Sequence, residues 1–463
     1  MATTDTSLFG VRTFPTSGER ICVNHSTCKI WRRLGAIAIV ATLLPGCVNT
    51  KFKSNAPVQA FAVADEPNAA AIGRNLLNQG GSAADAAAGM ALAMAVTLPS
   101  RVGLGGGGVC LVFDAETKRV RTLDFLPRPT GPGGTAAPGF VRAIQIMQAT
   151  SGTLRWEQVA VPAETLARES PGVSRALAQD FQAGASRLSD AEARRIFLPG
   201  GRAPAEGTVL AQPELAALLS QVRRTGAGAV YAGSTAQALA GALGIDTTAL
   251  HGIQPQWRGT VAIDMGTKAL HLADLPDAGS GAAQAKAWSA VEKVPAGERA
   301  ARAGQILGAT GSGPGEAPAA GLVAMDSREN AVACAFTMGG LFGTGRVAPG
   351  TGVLTATGVN GAGFGAPALL ANTIVGRALF GAVGTAAGDD GPAAGSAALL
   401  AGALPALLDD RTAADILATR GGPGRVDLVT CQVSMENGLK DCRAAADPRG
   451  HGFAHDLLIF PDR

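Results

Sequence analysis

Apolar and polar positions alternate with two different periods along this chain, and the changes of period mark out its elements. The run Val58–Ala64 is almost wholly apolar and reads as a strand. Over Pro67–Gln79 the apolar residues Ile72, Leu76 and Leu77 share one helical face, and Gly80-Gly81 supplies a stop. Ser82 with Asp85 three residues on has the form of a capping box, so a second helix is expected over Ala83–Thr97. Its Ala, Met and Leu residues occur on every side, which predicts burial all round. A glycine loop then leads to a strand over Val109–Asp114, a turn at Glu116–Lys118 and a strand over Arg119–Phe125. Helical periodicity dominates from Gly139 to Leu243, and Gly308–Gly321 reads as a flexible connector rich in Gly, Ala, Pro and Ser. Further strands are expected over Gly321–Met325, Ala331–Thr337, Val426–Val433 and Leu439–Ala444, and no internal repeat is visible.

Composition sharpens this picture. A length of 463 residues suggests three domains of about 150 residues, although layered α/β folds exceed that size as single units. With 47% hydrophobic and 16% charged residues the chain can build a large core and is not globally disordered. Gly 63 and Pro 26 imply many tight turns, and Tyr231 is the sole tyrosine, so Ala, Leu and Val must fill most of the interior. A net charge of +3 without a basic, aromatic-interleaved stripe gives no support to nucleic-acid binding.

The N-terminal stretch reads as an address. Lys29, Arg32 and Arg33 precede the apolar run Leu34–Gly46, too short to span a bilayer but suited to a signal peptide. Leu43-Leu44-Pro45-Gly46-Cys47 resembles a bacterial lipobox, whose cysteine is lipidated and becomes the mature N-terminus; an ordinary signal peptide with an incidental cysteine is the alternative. Met1–Cys28 is long for the segment before such a run, and the surroundings of Arg32-Arg33 fit a twin-arginine signal poorly. Export predicts an oxidising periplasmic setting, with the protein held at the membrane through Cys47 and a short tether, Val48–Pro57. Of seven cysteines, Cys22 and Cys28 would leave with the signal, and Cys110 and Cys334 read as small core residues. Cys431 and Cys442 flank the hairpin signal Glu436-Asn437-Gly438. A disulfide across it is open: a two-residue Asn-Gly turn would set Cys442 opposite Val433 instead.

Several chemistries drop out. Gly103, Gly105 and Gly108 have GxGxxG spacing, but a helix precedes them and a strand follows, the reverse of a dinucleotide site. What remains is a backbone that needs positive φ or close approach by another segment. There is no HExxH, CxxC or GxSxG motif, and His451 and His455 lack a third ligand nearby, so neither a metal nor a cofactor is expected.

Read together, other segments form an ordered series. It runs from Gln79–Ala88 through Pro99 and the glycines to Leu111–Asp114 and Leu123–Phe125. It continues with Leu166–Glu169, Gln212-Pro213, Ala229–Gly233, Val347–Leu354 and Ala445–Arg449. This series resembles the γ-glutamyltranspeptidase family over about Val58 to Ala454. The resemblance implies an α/β fold, the four-layer αββα sandwich of the N-terminal-nucleophile hydrolases. It also implies a precursor that cuts itself before a threonine. The freed amine then serves as base for that threonine's hydroxyl, which attacks the γ-glutamyl carbonyl.

Here the resemblance breaks at the critical position. Counting back from Asp326 and Asn330 sets Ala319, Ala320 and Gly321 where the family has Thr-Thr-His, and Thr310 and Ser312 lie too far upstream. The family's substrate arginine falls at Leu126 with Arg128 nearby, and its asparagine falls at Gly339, two residues after Thr337. Its amine-binding residues fall around Gly358, Asn360 and Gly361, and its paired serines at Ala368-Leu369. The oxyanion loop keeps Ala394-Gly395-Ser396, so Thr337, Gly395, Ser396 and Arg128 are the expected remnants of a pocket. The parts are then a signal segment (1–47), a large-subunit-like part (48–318) and a small-subunit-like part (319–463), the last two forming one globular unit. The expected function is a non-catalytic binding or assembly module with an unidentified protein partner and weak affinity for γ-glutamyl ligands. The alternative is an active enzyme of glutathione-type substrates with another nucleophile.

Overall fold

Strand β1 (Val58–Ala64) already demands a layered molecule: Ala60, Ala62 and Ala64 face one way, Phe61 and Val63 the other, and all five are buried. The computed structural model describes residues 58–275, 280–308, 319–360, 367–386, 390, 393–433 and 440–460. After β1 come helices α1 (Pro67–Asn78) and α2 (Ala83–Thr97), then strands β2 (Gly107–Asp114) and β3 (Arg119–Phe125). Helices α3 (Phe140–Ser151), α4 (Trp156–Glu169), α5 (Arg175–Gly184) and α6 (Pro213–Thr225) follow, then strands β4 (Gln256–Arg258), β5 (Thr260–Asp264) and β6 (Ala269–Ala273). Helices α7 (Ser280–Val291) and α8 (Ala296–Ile306) precede strands β7 (Ala319–Met325), β8 (Ala331–Thr337), β9 (Pro367–Asn372) and β10 (Arg377–Thr385). The described chain closes with α9 (Ala394–Leu408), β11 (Arg425–Val433), β12 (Lys440–Ala445) and β13 (Phe453–Ile459).

Seven strands form one antiparallel sheet in the order β13-β1-β7-β8-β2-β3-β4, and six form another in the order β12-β11-β10-β9-β6-β5. Phe61, Val63, Leu111, Val323 and Val383 pack between the sheets. The opposite faces carry helices. Ala62, Cys110 and Cys334 share a core with α1 and α2, and Leu370, Phe380 and Ala382 share one with α7 and α9. The result is the four-layer αββα sandwich. Among the described residues no helix is long and apolar enough to cross a membrane.

Local chemistry explains the elements nearest the site. Ser82 N donates to Asp85 Oδ2 at 2.8 Å while Asp85 N donates to Ser82 Oγ, so the capping box is made, and every residue of α2 is buried. The glycine loop answers to close approach: a Cβ on Gly107 would lie 2.1 Å from the Phe125 carbonyl oxygen, and one on Gly105 would lie 2.0 Å from that of Leu354.

The cysteines correct the sequence reading. Cys110 and Cys334 are not separate core residues. They face each other across the β2–β8 ladder and form a disulfide, because strands 224 residues apart in sequence meet in that register. Cys431 and Cys442 also form a disulfide. Val433 pairs with Lys440, which sets Cys431 opposite Cys442 and rules out the two-residue-turn register. Asn437-Gly438 and Leu439 lie outside the described residues, as do Lys29, Arg32, Arg33, Cys47, Thr310, Ser312 and Gly361.

Candidate functional site

At one end of the sandwich, β7 begins where β1, β8 and β10 finish and where β2 and β11 start. Ala319 pairs with Thr337, and Thr337 pairs on its other side with Gly107. The start of β7 is clamped to the end of β1: Gly321 N donates to Asp65 Oδ2 at 2.8 Å, and Asp65 N donates to the Gly321 carbonyl at 3.1 Å. A Cβ on Gly321 would meet Val383 and Thr385 of the facing sheet, so a side chain at 321 has almost no room. Thr337 is fully buried, and its hydroxyl accepts from Gly339 N at 2.9 Å.

The structure brings Ala319, Ala320, Gly321, Thr337 and Gly339 together and turns most of the remaining predicted positions into packing. Leu126 is buried between the sheets, and Ala368 and Leu369 are buried on opposite faces of β9. Strand β3 ends at Phe125, so Arg128 is not on a continuation of it. Its guanidinium forks onto Asp124, which Arg258 also engages at 2.9 Å. Gly358 N donates to the Gly134 carbonyl and Val359 N to that of Pro127, and Asn360 is exposed. Ala394, Gly395 and Ser396 open α9. They lie on the helical side of β10, since a Cβ on Gly384 would touch the Gly395 carbonyl oxygen at 1.9 Å. That strand separates them from β7.

Sequence reasoning missed a buried ionic cluster at the same end. Arg101 is buried and holds Asp180 through two bonds of 2.7 Å, with Ser100 donating to the same carboxylate. Asp447 accepts from Arg420 and Arg449, and its own N–H donates to Asp427 Oδ1 at 2.9 Å. Asp65 Oδ1, Asp427 Oδ2, Arg101 Nη1 and Arg425 Nη1 are buried without a hydrogen-bond partner. Burial, with the neighbouring Asp65 charge, pushes the Asp427 carboxyl well above its ordinary value. Burial also raises Asp65, against the pull of Arg101 and Arg425. The signal was present in the sequence as charged residues inside apolar runs, Asp427 within Val426–Val429 and Arg101 beside the glycine loop. His451 bonds Gln179, and no group of three His, Cys, Asp or Glu among the described residues could hold a metal.

The layer order is that of the N-terminal-nucleophile hydrolase fold. The crystal structure of cephalosporin acylase from Bacillus halodurans shares it, with TM-score 0.64 at 17% identity, covering 86% of this chain and 96% of that one. A sequence profile described as Gamma-glutamyltranspeptidase matches residues 69–133 and 126–307, and the chain belongs to that family. Glutathione hydrolase 7 of Bos taurus is 31% identical over 192 residues, 38% of this chain and 29% of the relative. The glutathione hydrolase proenzyme of Bacillus subtilis (strain 168) is 30% identical over 196 residues, 37% of this chain and 33% of the relative. The matched region thus spans about a third or less of these curated relatives' length.

Proposed function

We propose that the chain is a family member that neither cuts itself nor transfers γ-glutamyl groups, and that it acts as an exported binding or assembly module tethered through a lipid on Cys47. One observation carries this reading: the first residue of β7, where the count from Asp326 and Asn330 sets the family's nucleophile, is Ala319. Alanine offers no hydroxyl to attack a peptide bond or a γ-glutamyl carbonyl. Leu126, Ala368 and Leu369 support it, because a site that recognises both charges of a glutamyl group loses that recognition when its polar partners become core. The two disulfides support an oxidising compartment. On this reading residues 1–47 are the signal, and 48–318 and 319–463 remain one uncut unit.

A denaturing gel of the purified mature protein tests it. The gel must be run with reductant, because Cys110–Cys334 joins the two parts and would hide a cut between them. One band and no turnover of a γ-glutamyl anilide are expected. Two stable bands, with Thr or Ser at the new N-terminus, would establish the competing reading of an active enzyme, which the names of the curated relatives favour.

A further inference from the structure

We propose that the end of the sandwich opposite the candidate site is a membrane-contact face, with the hairpin tip Ile374-Val375 entering the lipid interface. Six of the ten exposed large hydrophobic side chains among the described residues cluster at or beside this end: Val58, Ile374, Val375, Val433, Leu458 and Phe460. The strand registers fix the placement. Val58 begins β1, whose far end reaches the site, and pairs with Ile459 at the end of β13. Val433 closes β11, and residues 373–376 turn β9 into β10.

The tip is braced, not loose. Asn372 Oδ1 accepts from Ile374 N and Val375 N at 3.0 and 3.2 Å, and Lys118 Nζ donates to the Ile374 carbonyl at 2.7 Å. Gly376, at φ +72°, sits so close to the β2–β3 turn that a Cβ would lie 2.6 Å from the Ala115 carbonyl oxygen. The structure therefore holds two aliphatic side chains, 64% and 59% exposed, in one fixed place facing solvent. Clustered exposed apolar surface of this kind marks a contact with another apolar phase.

The chain's own path names that phase as lipid. It enters the fold at Val58, on this face, with ten residues between it and Cys47. Ten residues reach at most about 35 Å, so an acyl anchor at Cys47 would hold this end beside the bilayer. The face binds lipid by itself, and tethering at Cys47 would strengthen the contact by making it intramolecular. Lys118, whose ammonium donates to the Ile374 carbonyl, sets a positive charge beside the tip, where the phosphates of a lipid interface would lie. The candidate site faces away from the membrane. This inference rests on the anchor reading, and the two are tested separately.

The mass of the wild-type N-terminal peptide reads the anchor. The face is read by flotation of the full-length Cys47→Ser chain, which carries no lipid there, with phosphatidylethanolamine–phosphatidylglycerol vesicles. The Cys47→Ser chain should float in part. Adding Ile374→Asp and Val375→Asp should lower the bound fraction about tenfold or more, as expected for loss of two buried aliphatic side chains. Adding Val209→Asp, which alters an exposed valine elsewhere, should leave it unchanged. A melting curve matching the parent's checks that the double variant folds, and Ile374→Ser with Val375→Ser serves if it does not. No flotation of the Cys47→Ser chain, equal flotation of both variants, or a dimer in sedimentation that the double variant dissociates would overturn the membrane face. An unacylated wild type with intact, tip-dependent flotation would overturn the anchor alone.

Discussion

Gly339 has φ +77°, and a Cβ there would lie 1.9 Å from the Thr357 carbonyl oxygen. An asparagine therefore cannot be placed here without moving Thr357. Gly339→Asn should cost about 2–3 kcal/mol or more, read as a lower thermal midpoint. Leu126→Arg should cost at least as much, about 3 kcal/mol, because it buries a guanidinium between the sheets. Ala319→Thr alone should fold and remain inactive toward a γ-glutamyl anilide. A second residue-scale effect concerns pH. Asp427 binds its proton more tightly in the folded chain than in the unfolded one. Its contribution to stability is full below the ordinary carboxylate value and is lost as pH rises through the raised one. Asp427→Asn keeps the bond from Asp447 N and cannot ionise. Its melting temperature should fall less than the parent's between pH 5 and pH 8, as scanning calorimetry would record. The start of β7 was legible in the sequence, where the apolar run to Met325 was expected to be a strand. The ionic cluster was not, because its members come from five separate stretches of chain.

At the scale of elements, short-range chemistry was readable and long-range register was not. Ser82 and Asp85 announce α2, and the β-branched or aromatic runs Val58–Ala64 and Arg119–Phe125 announce strands with nearly the observed bounds. Strands β9 and β10 were not anticipated, since Pro367–Asn372 and Arg377–Thr385 are rich in Ala, Leu and Gly and carry little strand propensity. Their extended form comes from lying between a sheet and a helical layer. The Cys431–Cys442 link spans a hairpin that the sequence announces with its register open, whereas the Cys110–Cys334 link depends on pairing that no local pattern encodes. The Cys110–Cys334 link yields an element-scale prediction. A protease site inserted within 309–318 and then cut should give one species without reductant and two with it. Replacing both cysteines by alanine should cost about 2–4 kcal/mol in denaturant titration, and the cut protein should then separate without reductant.

For the whole molecule, the four layers were legible from the ordered family resemblance, and the αββα arrangement agrees with it. Within that frame the space at the candidate-site end is filled by core side chains such as Leu126, Ala368 and Leu369, with charge collected in the Asp65–Arg101–Asp427 cluster beside them. The pairing of Val58 with Ile459 has one more consequence. The start of β1 and the end of β13 lie one strand spacing apart, about 5 Å, so a few added residues would join them. A circular permutant closed there and opened in the connector would begin at residue 319. It should fold with both disulfides and melt within about 5–10 °C of the parent. Such a chain would present a free α-amine at the head of β7 by rearrangement of the gene, with no self-cleavage required. Fitted with threonine at that first position, it would separate the making of the terminus from the making of the pocket.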